Sequence, residues 1–414
     1  MDYISEAVLT YATPLYLVDE IILRTTVRRF INAFQTYCQN VQIAYSYKTN
    51  PLLAVCQIIH QEGAWAEVVT GDELHTAHKL GMPYSQIVFN GPGKTKDELT
   101  LAIANNVILN VDNWHELLQV ADIAQSCGIQ AKIGLRISTG HIREFGYKFG
   151  FDVDNGAADA AIAHVLASQY LELEGFHFHL DTSICDPNSY ITALKELHTL
   201  IQRHFDPQQR ILRYIDIGGG FAVKNNRPLE VTAEDWYVPE IEEFARAICT
   251  AVEQLFPPET LLILEPGRAL VTDSMLFATK AINIKQQQQR TVIILDGGLN
   301  LVPSTYYVAY PVSITSAASS DGSREEFTQP IEFFGSLCMS YDLMSHCSIR
   351  KLPEVDDIVV FHNIGAYNYS EAFNFTRGKP PVILIHPDRS FSTIREREPY
   401  DLLHSLEYLL PLKE

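Results

Sequence analysis

Gln42-Ile43-Ala44-Tyr45-Ser46-Tyr47-Lys48 is an apolar run that ends on a lysine, and Asn50-Pro51 opens a helix-like stretch over 51–62. A second strand-like run follows at 65–69, then an amphipathic stretch at 72–80 introduced by Gly71-Asp72-Glu73-Leu74. Working outward, six more short apolar runs stand at 86–91, 107–112, 132–138, 172–180, 214–220 and 261–268. Segments at 95–104, 114–127 and 188–205 carry apolar residues three or four apart, the helical period. Parallel strands need a crossover between them, and helices supply it. Eight strand–helix alternations therefore predict an α/β fold, a closed parallel (β/α)8 TIM barrel.

Beyond about residue 280 the pattern changes to β-branched and aromatic runs at 276–285, 291–296, 331–334, 357–362 and 381–385, with turns such as Asp296-Gly297-Gly298 between them. This predicts an antiparallel β domain. The run Tyr16-Leu17-Val18-Asp19 precedes the barrel pattern and is free to pair with that later sheet. The expected division is a barrel over 24–280 and a second domain made of 1–23 and 281–414. Gln286 to Gln289 reads as a solvated turn.

At 414 residues the chain is long enough for a large barrel and a second domain. Hydrophobic residues make up 47% and charged residues 20%, a globular profile. The formal net charge of −19 and the lack of a long basic run argue against a nucleic-acid partner. No stretch approaches the ~20 apolar residues of a bilayer span. The opening Met1-Asp2-Tyr3-Ile4-Ser5-Glu6 lacks the order of a secretory signal, so a cytoplasmic location is expected. The seven cysteines (Cys38, Cys56, Cys127, Cys185, Cys249, Cys338, Cys347) form no CxxC pair, which indicates neither a disulfide framework nor a zinc ribbon.

In such a barrel the chemistry gathers where strands end. The polar residues there are Lys48, Glu67, Asn90, Arg136, His177, His179, Asp216 and Glu265. Lys48 at a barrel mouth is a candidate Schiff-base nucleophile; the alternative is an ion pair with a carboxylate such as Glu67. Gly218-Gly219-Gly220 lets backbone N–H groups close on an anion, with Arg268 adding a bidentate contact, or is simply a turn. A dinucleotide motif is excluded by Val223, and a Walker A loop ending at Gly93-Lys94-Thr95 by Val88. His177 and His179 share a strand face, but no second ligand cluster has matching spacing, so no metal is expected. His179 instead suits stacking on a cofactor ring. Glu265 suits pairing with a ring nitrogen, or else a salt bridge to Arg268 or Lys48. An amine, phosphate donors, an acid and an imidazole together describe a pyridoxal phosphate site.

The chain resembles the fold-type III pyridoxal phosphate decarboxylases, the group that contains diaminopimelate and ornithine decarboxylases and shares an alanine racemase-like barrel. The resemblance lies in Tyr47-Lys48-Thr49-Asn50, Glu67 to Leu74, Phe176 to His179, Asp216 to Phe221, Glu265-Pro266-Gly267-Arg268, Asp296-Gly297-Gly298, Cys338 with Asp342, and Gly365-Ala366-Tyr367. It implies that Lys48 binds the cofactor aldehyde, His179 stacks on its ring and Glu265 binds its nitrogen. Gly218 to Gly220, Gly267 and Arg268 would hold the phosphate, and Glu67, Arg136 and Tyr367 complete the cofactor site. Cys338 from a partner subunit would return a proton after carbon dioxide leaves, which implies a homodimer with a shared site. Met339, Asp342 and Tyr367 would meet the substrate.

Where relatives carry Gly-Ser after the stacking histidine, this chain has Leu180-Asp181-Thr182, so Thr182 or Ser183 would replace the phosphate-binding hydroxyl and Asp181 must turn away. Met339 stands where diamino acid enzymes keep an acidic residue, and 297–323 holds no Arg or Lys. The stretch from Phe89 to Leu99 resembles a subgroup acting on carrier-bound or citrate-linked amino acids in siderophore and other secondary metabolism. The expected substrate is an amino acid or amino-acid conjugate, free or carrier-linked. Rival readings are an amino acid racemase and a non-catalytic decarboxylase-like regulator. Residues 141–150 are a candidate lid.

Overall fold

The computed structural model describes residues 3–139, 146–206, 210–287, 290–315, 330–348 and 352–410. It divides into two units: Arg24–Lys224 with Tyr237–Leu270, and Met1–Leu23 with Asn225–Trp236 and Val271–Glu414. The second unit thus takes 225–236 and 271–280, which the sequence pattern leaves with the barrel. The reason is pairing, because a strand beginning at Met275 lies against the N-terminal strand Leu15–Asp19 (β1).

The first unit is the closed barrel. Its strands are β2 (Val41–Ser46), β3 (Trp65–Val68), β4 (Ile87–Phe89), β5 (Ile108–Val111) and β6 (Ala131–Ser138). A two-residue strand, β7 (Phe151–Asp152), lies beside β6, and β8 (Leu171–His177) and β9 (Tyr214–Asp216) follow. β10 (Arg227–Pro228) belongs to the other unit, and β11 (Leu261–Leu264) is the eighth barrel strand. Every barrel pairing is parallel, and β11 pairs with β2 to close the ring. All eight expected runs are strands, most of them shorter than the apolar runs because the polar ends turn out of the sheet.

Local chemistry sets the crossover helices. Thr70 accepts from Glu73 N before the helix Gly71–Lys79, and Thr95 forms a capping box with Glu98 before Lys96–Ala104. Asn113 caps Trp114–Cys127, and Gly128 ends it at φ 68°, a left-handed conformation that glycine adopts at no steric cost. Ala44, Val88, Ile108, Tyr214 and Ile263 form one layer of the buried barrel interior.

The second unit is built along β12 (Met275–Gln287). This strand pairs antiparallel with β1, with β13 (Arg290–Leu295) and, further on in the chain, with Ile358–Phe361. β14 (Val308–Ala309) pairs with β10, and β15 (Val312–Thr315) pairs with β18 (Ile358–Phe361). β16 (Pro330–Phe334) and β17 (Leu343–Ser348) extend one end, and β19 (Val382–Ile385) and β20 (Phe391–Arg395) the other. The sheet is mostly antiparallel, but β1–β19 and β13–β16 run parallel, a departure from the all-antiparallel expectation. The Tyr16 run does pair with this sheet. Of the expected glutamine turn, Gln286 and Gln287 still pair with Thr291 and Arg290, while 288–289 lie outside the described residues. Leu15, Leu17, Ala278, Val360, Ile383 and Ile385 form the core, with Ile4 and Ala7 packed in from the N-terminal helix. Among the described residues no helix is long and apolar enough to cross a membrane.

Candidate active site

Eight strands running the same way deliver the residues after them to one end of the barrel. Lys48 follows β2 in the turn Tyr47–Thr49 and donates from Nζ to Ser46 Oγ at 2.8 Å and to Glu67 Oε2 at 3.0 Å. The ion pair posed as the alternative reading of Lys48 is therefore present. It does not seal the amine, because the lysine side chain is 45% exposed while Glu67 is 1% exposed. Next to this pair, burial pushes the Glu73 carboxyl up to about 7, even though its Oε2 accepts from Val69 N at 2.7 Å.

Glu265, after β11, is buried. Its Oε1 accepts from Asn90 Nδ2 at 2.5 Å, and its Oε2 lies 3.4 Å from His177 Nε2. Sequence had offered a salt bridge to Arg268 or Lys48 as the alternative for this acid and did not give it Asn90 or His177 as partners. Burial alone would raise this carboxyl; His177, a hydrogen bond with Asp216 and the charge of Lys48 outweigh it and hold Glu265 well below the ordinary range. Asp216 goes the other way, raised well above its ordinary value by burial and by the neighbouring Glu265. The pair is best described as one proton held on Asp216 beside an ionised Glu265.

The triple glycine is obligatory for a geometric reason. Gly218 and Gly220 have φ of 67° and 96°. A Cβ at Gly218 would come within 2.7 Å of Phe178 O, and at Gly219 and Gly220 it would collide with the carbonyls of Glu265 and Asp181. The expected row of three anion-facing N–H groups needs correction, however. Gly218 N donates to Asp216 Oδ1 at 2.9 Å and Gly219 N to His179 Nδ1 at 3.1 Å, which leaves the Gly220 end of the turn for an anion. The same bond makes Nδ1 of His179 an acceptor and so puts the ring proton on Nε2. Burial, then the charges of Arg136 and Lys48, lower the His179 pKa to about 3, so the ring is neutral at physiological pH. Asp181 Oδ1 accepts from Thr182 N at 2.7 Å, and Thr182 is exposed. Gly267 lets β11 approach the Lys48 turn so closely that a Cβ there would collide with Thr49 Oγ1; Arg268, half-buried, follows it.

Arg136 on β6 is buried, 3.4 Å from Asp112 Oδ1, with its guanidinium 4.2 Å from the Phe149 ring centre. Of the candidate lid, 141–145 lie outside the described residues. The objection to a metal, that histidines 177 and 179 lacked companions, changes form. Among the described residues His177, Asp216 and Glu265 bring one ligand-capable atom each within 4.8 Å of one another, and His179 is not among them. Asp216 Oδ1 and Glu265 Oε1 already accept from Gly218 and Asn90.

In the other unit, Cys338 is exposed and Met339 half-buried, in the turn between β16 and β17. Asp342, expected to meet substrate, is 1% exposed, and its two oxygens accept from Leu299 N at 2.6 Å and Leu337 N at 2.8 Å. It anchors the turn that presents Cys338. Tyr367 is half-buried at φ 65° and starts a short helix, Asn368–Glu371.

The sequence reading missed Asn110, Tyr214 and Glu73 as members of the site, and placed Asn90 at a strand end without giving it a role. Asn110 sits inside an apolar run, flanked by Leu109 and Val111, and a polar residue between two apolar ones was the available signal.

The residues fit pyridoxal phosphate: an accessible amine, a glycine turn that no Cβ can enter, an acid kept ionised in a buried setting, and a neutral imidazole with a fixed tautomer. Residues 23–272 match the family described as "Pyridoxal-dependent decarboxylase, pyridoxal binding domain". The diaminopimelate decarboxylase of Bacillus subtilis is 29% identical, over 97% of this chain and 92% of its own length. That of Synechocystis is 31% identical, over 95% and 86%. The crystal structure of the M. jannaschii diaminopimelate decarboxylase with L-lysine superposes with a TM-score of 0.85 at 27% identity, covering 99% of this chain and 95% of that one. The chain therefore belongs to the pyridoxal-dependent decarboxylases and is a pyridoxal phosphate-dependent carboxy-lyase acting on an amino acid.

Proposed function

We propose that the substrate is an amino acid or amino-acid conjugate whose far end carries no free ammonium–carboxylate pair, as a citrate-linked or carrier-bound aminoacyl group would provide. The observation that carries this is Met339, a thioether next to Cys338 where diamino acid enzymes keep an acid, supported by the absence of Arg and Lys from 297–323. The amino-acid decarboxylation itself is common to this reading and to that of the diaminopimelate decarboxylases it resembles.

Bound pyridoxal phosphate supplies an acceptor for the electrons that the departing carboxylate leaves behind. The chain's own residues then have distinct tasks. Lys48 offers the amine that binds the aldehyde, and Glu67 orients it through the 3.0 Å bond. Glu265 stays ionised toward the ring nitrogen and holds its proton there. His179, neutral and fixed by Gly219, covers a ring face without adding charge. The Gly220 end of the glycine turn, with Arg268 and Thr182 or Ser183, receives the phosphate. Cys338 of a second copy, presented by the Asp342-anchored turn, returns the proton, so the working unit is a homodimer.

Carbon dioxide release is to be measured from free diaminopimelate, lysine and ornithine, from citrate–amino-acid conjugates and from carrier-bound aminoacyl thioesters. The conjugates or thioesters should be turned over fastest. A clear preference for free diaminopimelate overturns the substrate assignment, and exchange of the Cα hydrogen without carbon dioxide would favour racemisation. Borohydride treatment of the cofactor-loaded protein should leave the pyridoxyl mass on the peptide containing Lys48.

A further inference from the structure

Glu67 and Glu265 come from strands on either side of the barrel's closing seam, yet a single amide joins them. Asn90 Nδ2 donates to Glu265 Oε1 at 2.5 Å and to Glu67 Oε1 at 3.1 Å. Its own Oδ1 accepts from Asn110 Nδ2 at 2.9 Å, and Asn110 Oδ1 accepts from Tyr214 Oη at 2.7 Å. Asn90, Asn110 and Tyr214 are 3%, 1% and 1% exposed, so every link is shielded from bulk solvent.

We propose that Tyr214, Asn110 and Asn90 form a directional hydrogen-bond rod through the barrel interior whose task is to hold Glu67 and Glu265 as a joined acceptor pair, which makes Asn90 and Asn110 positioning residues of the active site. The inference rests on the assignment of Lys48, Glu67 and Glu265 to the cofactor site.

The direction follows from chemistry. Ionised carboxylates only accept, so Asn90 must turn its NH2 toward them and its carbonyl toward Asn110. Asn110 must then donate to Asn90 and accept from a hydroxyl. Tyr214 supplies that hydroxyl, and burial keeps it protonated. The strands around it are cut to fit. A Cβ at Gly134 on β6 would collide with both Tyr214 Oη and Asn110 Oδ1, and one at Gly175 on β8 would lie 2.6 Å from Tyr214 O and 2.7 Å from its ring. Two glycines inside strands, where they weaken a sheet, are thus explained by the slot the tyrosine occupies.

The titratable groups near the carboxylate end are Lys48 and Glu73 beside Glu67, and Arg136, His177, His179 and Asp216 beside Glu265. Glu174 and Arg213 stand near Tyr214, and Lys94, paired with Glu116 near Asp112, donates to Asn110 O. Asn110→Asp adds one titrating group to this set and changes no shape. When protonated, the new side chain still donates to Asn90. When ionised it only accepts, which turns the Asn90 carbonyl toward two carboxylates.

The test is pyridoxal phosphate dissociation from wild type and N110D by equilibrium dialysis across the neutral pH range, with the cofactor absorbance followed in parallel. The cofactor Kd of N110D, relative to wild type at each pH, should rise about tenfold or more from the acid to the alkaline side, the equivalent of one charge-assisted hydrogen bond. Asn110→Leu should weaken binding by a factor that does not change with pH. Should N110D lose its fold, Tyr214→Phe keeps the ring and its packing and should raise the Kd about two- to tenfold. An N110D profile superimposable on wild type, or an unmoved Kd in Y214F, overturns the rod. A pyridoxyl group fixed on a lysine other than Lys48 in the wild type instead overturns the site assignment, and the rod's role with it.

Discussion

Lys94→Met removes a charge that the barrel has buried completely. The Lys94 side chain is 0% exposed and that of Glu116 4%. All three ammonium protons are used, on Glu116 Oε1 at 2.7 Å, Gly91 O at 2.7 Å and Asn110 O at 3.0 Å, so one amine ties the loop after β4 to β5 and to the helix Trp114–Cys127. Burial lowers the Lys94 pKa and raises that of Glu116, each partly offset by the other's charge. Methionine keeps most of the volume and none of the donors. Breaking one side of a buried pair leaves an uncompensated carboxylate, a loss of about 3–5 kcal/mol. Protonation of Glu116 limits that loss. In K94M the folded-state pKa of Glu116 climbs further above its unfolded value, so the loss should shrink as pH falls and grow as pH rises through that window. Guanidinium unfolding of K94M, and of K94M/E116L, measures this, with midpoints compared by two probes because two units need not unfold together. The double variant should recover most of the loss, since an apolar pair needs no partner. A K94M protein within about 1 kcal/mol of wild type at neutral pH, or a double variant no better than the single, refutes the reasoning.

Glu73→Gln should stabilise the protein at alkaline pH and not in acid. The carboxyl's folded pKa of about 7 lies above its ordinary 4.5, so its contribution is present below the lower value and is lost as pH rises through the upper one. The gain at about pH 8 should reach at most about 3 kcal/mol in thermal or chemical unfolding. Gly220→Ala forces a Cβ onto a φ of 96° and against Asp181 O, and should cost about 1–3 kcal/mol while loosening the phosphate end of the cofactor, read by dialysis. Asp342→Asn leaves one of the Leu299 and Leu337 N–H groups without an acceptor; amide exchange there should quicken, by an amount equivalent to about 1–3 kcal/mol of local stability.

The barrel was legible because each of its strands is a separate apolar run and several crossover helices announce themselves by a cap, as at Thr70, Thr95 and Asn113. The second unit was less so. β15, β17 and β20 lack long β-branched runs, and the parallel pairs β1–β19 and β13–β16 join segments far apart in the chain, a choice that periodicity does not encode. In the site, Lys48, Glu265 and the glycines stood out because each interrupts a pattern at a strand end. The roles of Asp216, Asn110 and Tyr214 did not, since they depend on which side chain each meets across the barrel. The two backbone donors to Asp342 could not be read for the same reason, since Leu299 and Leu337 meet it only through the fold.

The same cross-barrel contacts decide which acid carries charge. Asp216 and Glu265 lie too close, in too little water, for both to ionise cheaply. Asp216 receives one backbone N–H, from Gly218, whereas Glu265 receives the Asn90 amide and stands beside His177. The donors favour charge on Glu265 and leave the proton on Asp216. A charged Glu265 in turn requires the Asn90 amide to face it, and that orientation is possible only with Asn110 and Tyr214 aligned behind. The ionisation of Glu265 is therefore linked, through the Asn90 amide, to side chains on other strands of the barrel.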